Sequence, residues 1–176
     1  MSDIFLTSDN HYHHKNILNL CRSTRLGDSV EEMNELMIDA HNSVVNPDDT
    51  VYFLGDFSFG TDDQTEVILD RLNGKKHIIL GNHDKVIRES SVLQSKFESV
   101  QDYKQIKIEK KMVMLFHYPI RDWNMMYQKS YHLYGHCHGR LEASRNGRSM
   151  DVGIDARPCD MKPWSWEEIQ VRLEKS

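Results

Sequence analysis

At 176 residues, with 39% hydrophobic and 28% charged residues, the chain has the size and make-up of one ordinary globular domain spanning 1–176. A formal net charge of −5 argues against broad electrostatic binding to polynucleotide. No apolar run reaches membrane-spanning length, the opening MSDIFLTSDNH lacks a basic, apolar leader pattern, and the three cysteines (Cys21, Cys137, Cys159) form no C-x-x-C, which together predict a reduced, cytoplasmic protein without membrane contact.

In chain order, Ile4–Thr7 reads as a strand and Lys15–Cys21 as a short helix. Ser29-Val30-Glu31-Glu32 is a capping box, and behind it Val30, Met33, Leu36, Met37, Ala40 and Val44 keep one helical face apolar. After the turn Asn46-Pro47-Asp48-Asp49, Thr50–Leu54 is a strand. Thr61 and Gln64 have cap spacing for a helix that continues through Val67, Ile68 and Leu72 to an Asn73-Gly74 stop. His77–Leu80 is a strand and Ser90–Phe97 a helix. Tyr103–Ile108 and Met112–Phe116 flank Glu109-Lys110-Lys111 as a hairpin, and His132–Tyr134 and Met150–Ile154 read as further strands. Ser165-Trp166-Glu167-Glu168 opens a last helix to about Leu173. Alternating strand and helix in the first half, and mostly strand in the second, predict an α/β layered αββα sandwich of two mixed β-sheets flanked by helices.

Five of the apolar runs end at once in polar residues: IFLTSDNH, VYFLGDF, HIILGNHD, VMLFHYP and HLYGHCH. Buried strands that deliver chemistry from their carboxyl ends have this form. The residues so delivered are Asp9, His11, Asp56, Asn82, His117, His136 and His138, a candidate metal-ligand set. Asp9/His11 and His136/His138 are two apart, so each pair shares a face of an extended segment. Mixed carboxylate and imidazole donors suit Mn²⁺, Fe or Zn²⁺ better than Ca²⁺ or Mg²⁺ alone. Asp56 follows Gly55, which permits a tight strand-end turn, and its two oxygens can bridge two ions, while the neutral Asn82 limits the charge at a second. Taken singly, each residue has a structural reading: Asp9 and Asp56 as turn or capping residues, His117 as a strand-end histidine bonded to backbone.

The motifs SDNH, GDF, GNHD, the His of FHYP and GHCH, in this order from residue 3 to residue 155, resemble those of the calcineurin-like metallophosphoesterases, closest to the small single-domain bacterial and phage type, with the DVGID stretch (Asp151–Asp155) included. The resemblance implies a dinuclear centre with two divalent transition metal ions, Mn preferred and Fe, Zn or Ni as alternatives. Asp9, His11, Asp56 and His138 would hold one, and Asp56, Asn82, His117 and His136 the other. It also implies a phosphohydrolase, most often a phosphodiesterase on small nucleotide-type phosphoesters, working by in-line attack of a metal-bridging hydroxide. His83 would then protonate the leaving-group oxygen or stabilise the transition state. Rival activities are those of a phosphomonoesterase, a nucleoside polyphosphate hydrolase and, less favoured by the charge, a nuclease; a non-catalytic scaffold on the same fold is the rival of another class.

The sequence departs from larger members of the family at Phe59, where they carry an Asp that orients the catalytic His. The alternatives are that Asp84 or a backbone carbonyl orients His83 instead, or that the site is tuned away from phosphomonoesters. His14, Arg22, Arg25, Tyr118 and Trp123 are candidate substrate contacts: the arginines as an anion clamp, the aromatic residues as walls for a base or aromatic leaving group. Cys137, His41, His77, His132, Met33 and Met37 read as structural. Lys104, Lys107, Lys110 and Lys111 read as a solvated basic face.

Overall fold

In the computed structural model, which describes residues 2–141, 146–157 and 160–174, nine strands build two mixed sheets. The first contains β1 (Ile4–Thr7), β2 (Thr50–Phe53), β3 (Lys75–Ile79), β4 (Ser99–Gln101) and β9 (Trp164–Ser165) in the order β4-β3-β2-β1-β9. β1 to β4 run parallel, and β9 is antiparallel to β1. The second contains β5 (Tyr103–Ile108), β6 (Lys111–Phe116), β7 (Tyr131–Tyr134) and β8 (Arg148–Asp151) in that order. β5 and β6 form the expected hairpin, turning through Glu109 and Lys110 at positive φ, and β6, β7 and β8 are parallel.

The period-2 alternation of the strands decides the layers. Phe5, Val51, Phe53 and Ile78 point to one side, where they pack with Met33, Met37, Ile38, Ile68, Leu69 and Leu72. Those partners come from α2 (Val30–Asn42), α3 (Asp62–Arg71) and the Leu72 that follows it, joined by Ile87 of α4 (Lys85–Glu89), Leu93 of α5 (Ser91–Gln94) and Phe97. Their alternates Leu6, Tyr52, Leu54 and Ile79 point to the other side and meet Val113, Leu115, Tyr131, Leu133 and Met150 between the sheets. α6 (Trp166–Glu174) closes that second core with Trp166, Ile169 and Leu173. Each such fully buried side chain contributes about 1.5–3 kcal/mol, so the two cores fix how the sheets face one another.

Two of the three expected capping boxes form reciprocally, at Thr61/Gln64 and Ser165/Glu168; at Ser29 the hydroxyl accepts from Glu32 N–H while the Glu32 carboxylate takes Asp28 N–H instead. The expected helix at 90–97 is instead split: Ser90 ends α4 in an extended conformation and caps α5 with its hydroxyl. α1 (Ile17–Leu20) is shorter than expected. β4 and β9 are too short for any periodicity to announce them and exist as edge pairings on β3 and β1. Cys159 lies outside the described residues.

Candidate metal centre

The parallel strands of both sheets end at one edge, and the ligand candidates follow those ends. Asp9 comes two residues after β1, Asp56 three after β2, Asn82 three after β3, His117 directly after β6 and His136 two after β7. The strand-end loops remain tied together beyond the sheets. Asp9 N–H donates to Gly55 O at 2.9 Å, His11 N–H to Asp56 O at 3.0 Å, and Gly135 N–H to His117 O at 2.9 Å. Asp9, His11, Asp56, His136 and His138 all have φ between +50° and +68°, the left-handed region that costs a side-chain-bearing residue about 1–2 kcal/mol. Such strain is retained where surrounding structure enforces it, and here it sits on five of the seven candidates. Gly135 is required by close approach, since a Cβ there would collide with Ser8 Oγ and come within 2.5 Å of Asp9 Oδ2.

The seven candidates converge in two groups. In the first, ligand atoms of Asp9, His11 and His138 lie within 4.8 Å of one another. His11 Nε2 and His138 Nε2 face Asp9 Oδ1 at 3.8 and 3.9 Å. In the second, Asp56, His117 and His136 cluster within the same limit. Asn82 Oδ1 joins them, 3.1 Å from His117 Nε2 and 3.0 Å from His136 Nδ1. Asp56 Oδ2 lies between the groups, 3.8 Å from His11 Nε2 and 3.5 Å from His117 Nε2. Its other oxygen accepts from His83 N–H at 2.9 Å.

Behind His117 and His138 stand acceptors that hold each ring's Nδ1–H and turn Nε2 inward. His117 Nδ1 faces the carbonyl oxygen of Leu54 at 2.7 Å and therefore donates, freeing Nε2. His138 Nδ1 donates to Asp155 Oδ2 at 2.7 Å, a carboxylate–histidine pair of the kind that supports bound metal. Asp155 is in turn gripped by Arg25 through Nε at 2.9 Å and a second guanidinium nitrogen at 2.7 Å. Burial alone would raise the Asp155 carboxyl, but His138 and Arg25 hold it far below the usual carboxylate range. Burial likewise would raise Asp56, and His117 with the His83 N–H outweighs it, so that Asp56 is held low. His117 and His138 are pushed up, against burial, by Asp56 and Asp155 respectively.

His11 Nε2 is buried and has no hydrogen-bond partner. A buried nitrogen left bare opposite two carboxylates is costly in an empty pocket and natural in a metal shell. Together with the oxygen and imidazole donors this set fits divalent transition ions. Cys21, His138 and Asp155 form a third cluster, but burial pushes the Cys21 thiol up to about 11, and His138 Nδ1 is spent on Asp155. That cluster is therefore the back of the first group.

Four expected contacts are placed differently. Arg25 is only 4% exposed, and its guanidinium also donates to Asn10 O and Asp9 O, so it braces the first group and is not an anion clamp. Trp123 is buried, its indole N–H donating to Ser130 Oγ and its ring 5.3 Å from His132, so it packs under the second sheet. Asp84 is fully buried and its carboxylate accepts from Asp56, Phe57 and Gly81 N–H at 2.7–2.8 Å. It thereby clips two strand-end loops together, and no described hydrogen bond joins it to the His83 ring. Burial, partly countered by those N–H groups, raises its carboxyl. His14 turns its Nδ1 to His11 Nδ1 at 3.2 Å and lies flat on Phe59, ring centroids 3.9 Å apart.

Of the candidates outside the ligand set, three stay open to solvent. His83 is exposed beside the two groups, its ring 4.8 Å from Phe59 and 6.0 Å from His11. Tyr118, 37% exposed, places its ring 4.8 Å from His136 and its hydroxyl 3.4 Å from Asn82 Oδ1. Arg22 is exposed on the surface. The sequence singles out Asp155 only within the DVGID stretch and Arg25 only as a substrate contact; that the two support a ligand histidine is seen only in the structure.

No family model matches the chain. It is 31% identical over 180 residues to the uncharacterized protein MJ1445 of Methanocaldococcus jannaschii, covering 99% of this chain and 93% of that protein. It is 33% identical over 186 residues to the gene 66 protein of Mycobacterium phage L5, covering 89% of this chain and 88% of that one. Among solved structures, the protein of unknown function AQ665 from Aquifex aeolicus matches with a TM-score of 0.79 over 98% of this chain and 100% of that one, at 26% identity. Yfce, a phosphoesterase from E. coli, lies much further off, at a TM-score of 0.42 and 20% identity over 77% of this chain and 70% of that one, too slight a likeness to bear on activity.

Proposed function

We propose that this chain, which belongs to one family with MJ1445 and the gene 66 protein of phage L5, is a metal-dependent phosphoesterase of calcineurin-like type acting on phosphodiesters. The observation that carries the reading is the position of Asp56 Oδ2 between His11 Nε2 and His117 Nε2, one carboxylate shared by two ligand groups. When bound, two divalent ions, Mn first and Fe, Zn or Ni as alternatives, supply Lewis-acid stabilisation of phosphoryl charge and a lowered pKa for water.

The chain's own residues do the rest. Asp9, His11, Asp56 and His138 would hold one ion, and Asp56, Asn82, His117 and His136 the other. His83 is tied at its backbone to Asp56 while its ring stays exposed, so it can deliver a proton to the departing oxygen. Tyr118 keeps Asn82 in place through its hydroxyl and offers its ring face to a base or other aromatic group next to phosphorus.

The preference for diesters has its own support. A phosphomonoester carries up to two negative charges and a diester one. Arg25, the buried candidate for an extra cation, is committed to Asp155 and backbone oxygens. Of the two arginine candidates only the exposed Arg22 is left to add positive charge, which favours the lower charge of a diester. The test is hydrolysis of bis(p-nitrophenyl) phosphate and p-nitrophenyl phosphate with Mn²⁺, Mg²⁺ or chelator. The expected result is Mn²⁺-dependent cleavage favouring the diester, falling about 10²–10⁴-fold in His83→Ala. Monoester preference would overturn the substrate assignment and keep the centre. A metal-loaded protein inert toward every phosphoester offered would favour a scaffold.

A further inference from the structure

Three of the four candidate histidine ligands turn Nε2 toward a carboxylate of the centre: His11, His117 and His138. An imidazole that ligates through Nε2 carries its proton on Nδ1, and that Nδ1–H needs an acceptor to fix tautomer and ring angle. His117 has Leu54 O, and His138 has Asp155. For His11 the group facing Nδ1 is the Nδ1 of His14, 3.2 Å away. Two ring nitrogens at that distance share one proton, so one donates and the other accepts. With His11 Nε2 directed at a metal, His11 Nδ1–H is the donor and the His14 lone pair the acceptor.

We propose that His14 is a positioning residue for the metal centre, accepting from His11 Nδ1–H, and that Phe59 is the plate that holds His14 in place; the inference rests on the metal-centre reading above. His14 is secured for this task on every side. Its backbone N–H donates to His11 O at 3.1 Å, and its carbonyl accepts from Ile17 N–H at 3.2 Å. Its ring lies on Phe59 with 12° between the planes. Phe59 in turn is tied to the same turn by its N–H on Tyr12 O at 2.8 Å. The choice of an imidazole acceptor has a physical reason. Asp9 and Asp56 already face His11, and Asp155 stands behind His138. A further carboxylate would add repulsion among anions before metal arrives, whereas a neutral imidazole orients His11 without charge. The arrangement also gives Phe59 a task at the position where an Asp would orient His83 in larger proteins that the sequence resembles.

The test is calorimetric titration of the metal-free full-length protein with Mn²⁺, comparing wild type, His14→Leu and His14→Asn. Leucine fills the volume without an acceptor, and the asparagine Oδ1 takes the place of the histidine Nδ1. The expected result is a loss of about 10–100-fold in affinity at one of two sites in His14→Leu, with the other site unchanged and with affinity restored in His14→Asn. Equal affinity in His14→Leu and wild type, or equal loss in both variants, would overturn the role. Wild-type protein that takes up no Mn²⁺ would bring down the metal centre itself, a result distinguishable because no variant would then differ. If His14→Leu does not fold, the wild type decides alone. In ¹⁵N-histidine-labelled, Zn²⁺-loaded protein, a scalar coupling between the two facing Nδ1 nuclei supports the bond, and its absence overturns it.

Discussion

The two halves of the centre are built from similar donors on very different foundations. Around Asp9, His11 and His138 the support is deep: Asp155, Arg25, Thr24 and His14 stand behind the ligands, and Arg25 and Asp155 are almost wholly buried. Around Asp56, Asn82, His117 and His136 the support is uneven: His117 has Leu54 O and the buried Asp56 has His83 N–H and Asp84, while Asn82 and His136 are exposed. A ligand whose tautomer and angle are fixed in advance loses little freedom on binding, and an exposed one loses more. The braced half is therefore expected to bind its ion tightly and early. The open half is expected to bind more weakly, on the side where Tyr118 stands open to a substrate.

Removing what the halves share is the severest way to break this comparison. Asp56→Asn should abolish the second ion, weaken the first, and lower phosphoesterase activity by at least about 10³-fold, measured as metal per protein after dialysis alongside turnover. Retention of two ions would refute the shared-ligand geometry.

Cutting the brace comes next. Asp155→Asn leaves the buried Arg25 without its carboxylate, which should cost about 3–5 kcal/mol by urea unfolding, and weaken Mn²⁺ at the braced half about 10–100-fold. A stable variant with two undisturbed sites would show that Asp155 is not structural support for His138.

A third experiment separates the scaffold's own acid sensitivity from proton competition at the ligands. His41 and His132 are buried away from the ligands, and desolvation pushes each down to about 4. Their folded pKa lies below the unfolded value of about 6.5, so the unfolded chain binds protons first as pH falls. Stability should be complete above about pH 6.5 and decline toward pH 4, by on the order of 3 kcal/mol for each histidine. Metal-free protein unfolded by urea at a series of pH values measures it, and His41→Gln should flatten the slope. An unchanged slope would locate the acid sensitivity elsewhere.

The smallest effect on folding is expected at the exposed end. His136→Ala should change unfolding free energy by no more than about 0.5 kcal/mol while removing the weaker ion. A large destabilisation would mean that the open half is structural after all.

The convergence of the candidate ligands is legible because each follows a strand end, and strand ends announce themselves by an apolar run that stops. The layers were legible for the same reason, since alternation in residues such as Val51, Tyr52, Phe53 and Leu54 assigns each side chain to one core or the other. What supports the ligands was not. Arg25 and Asp155 are 130 residues apart in the chain and meet only because the two sheets close over one another. Asp84 looked catalytic from its place beside His83, yet its backbone turn carries the carboxylate inward to three N–H groups. The left-handed backbone at Asp9, His11, Asp56, His136 and His138 is not legible either: Asp and His enter that region more readily than most side-chain-bearing residues, but only a small share of them do so, and nothing in the sequence marks which.

The most direct test of a shared, unequal pair of sites is anomalous diffraction from crystals soaked in limiting and then excess Mn²⁺. The expected map has one peak among Asp9, His11 and His138 at limiting metal and a second among Asn82, His117 and His136 at excess, both in contact with Asp56. A single peak at both concentrations, or a first peak on Cys21, His138 and Asp155, would contradict it.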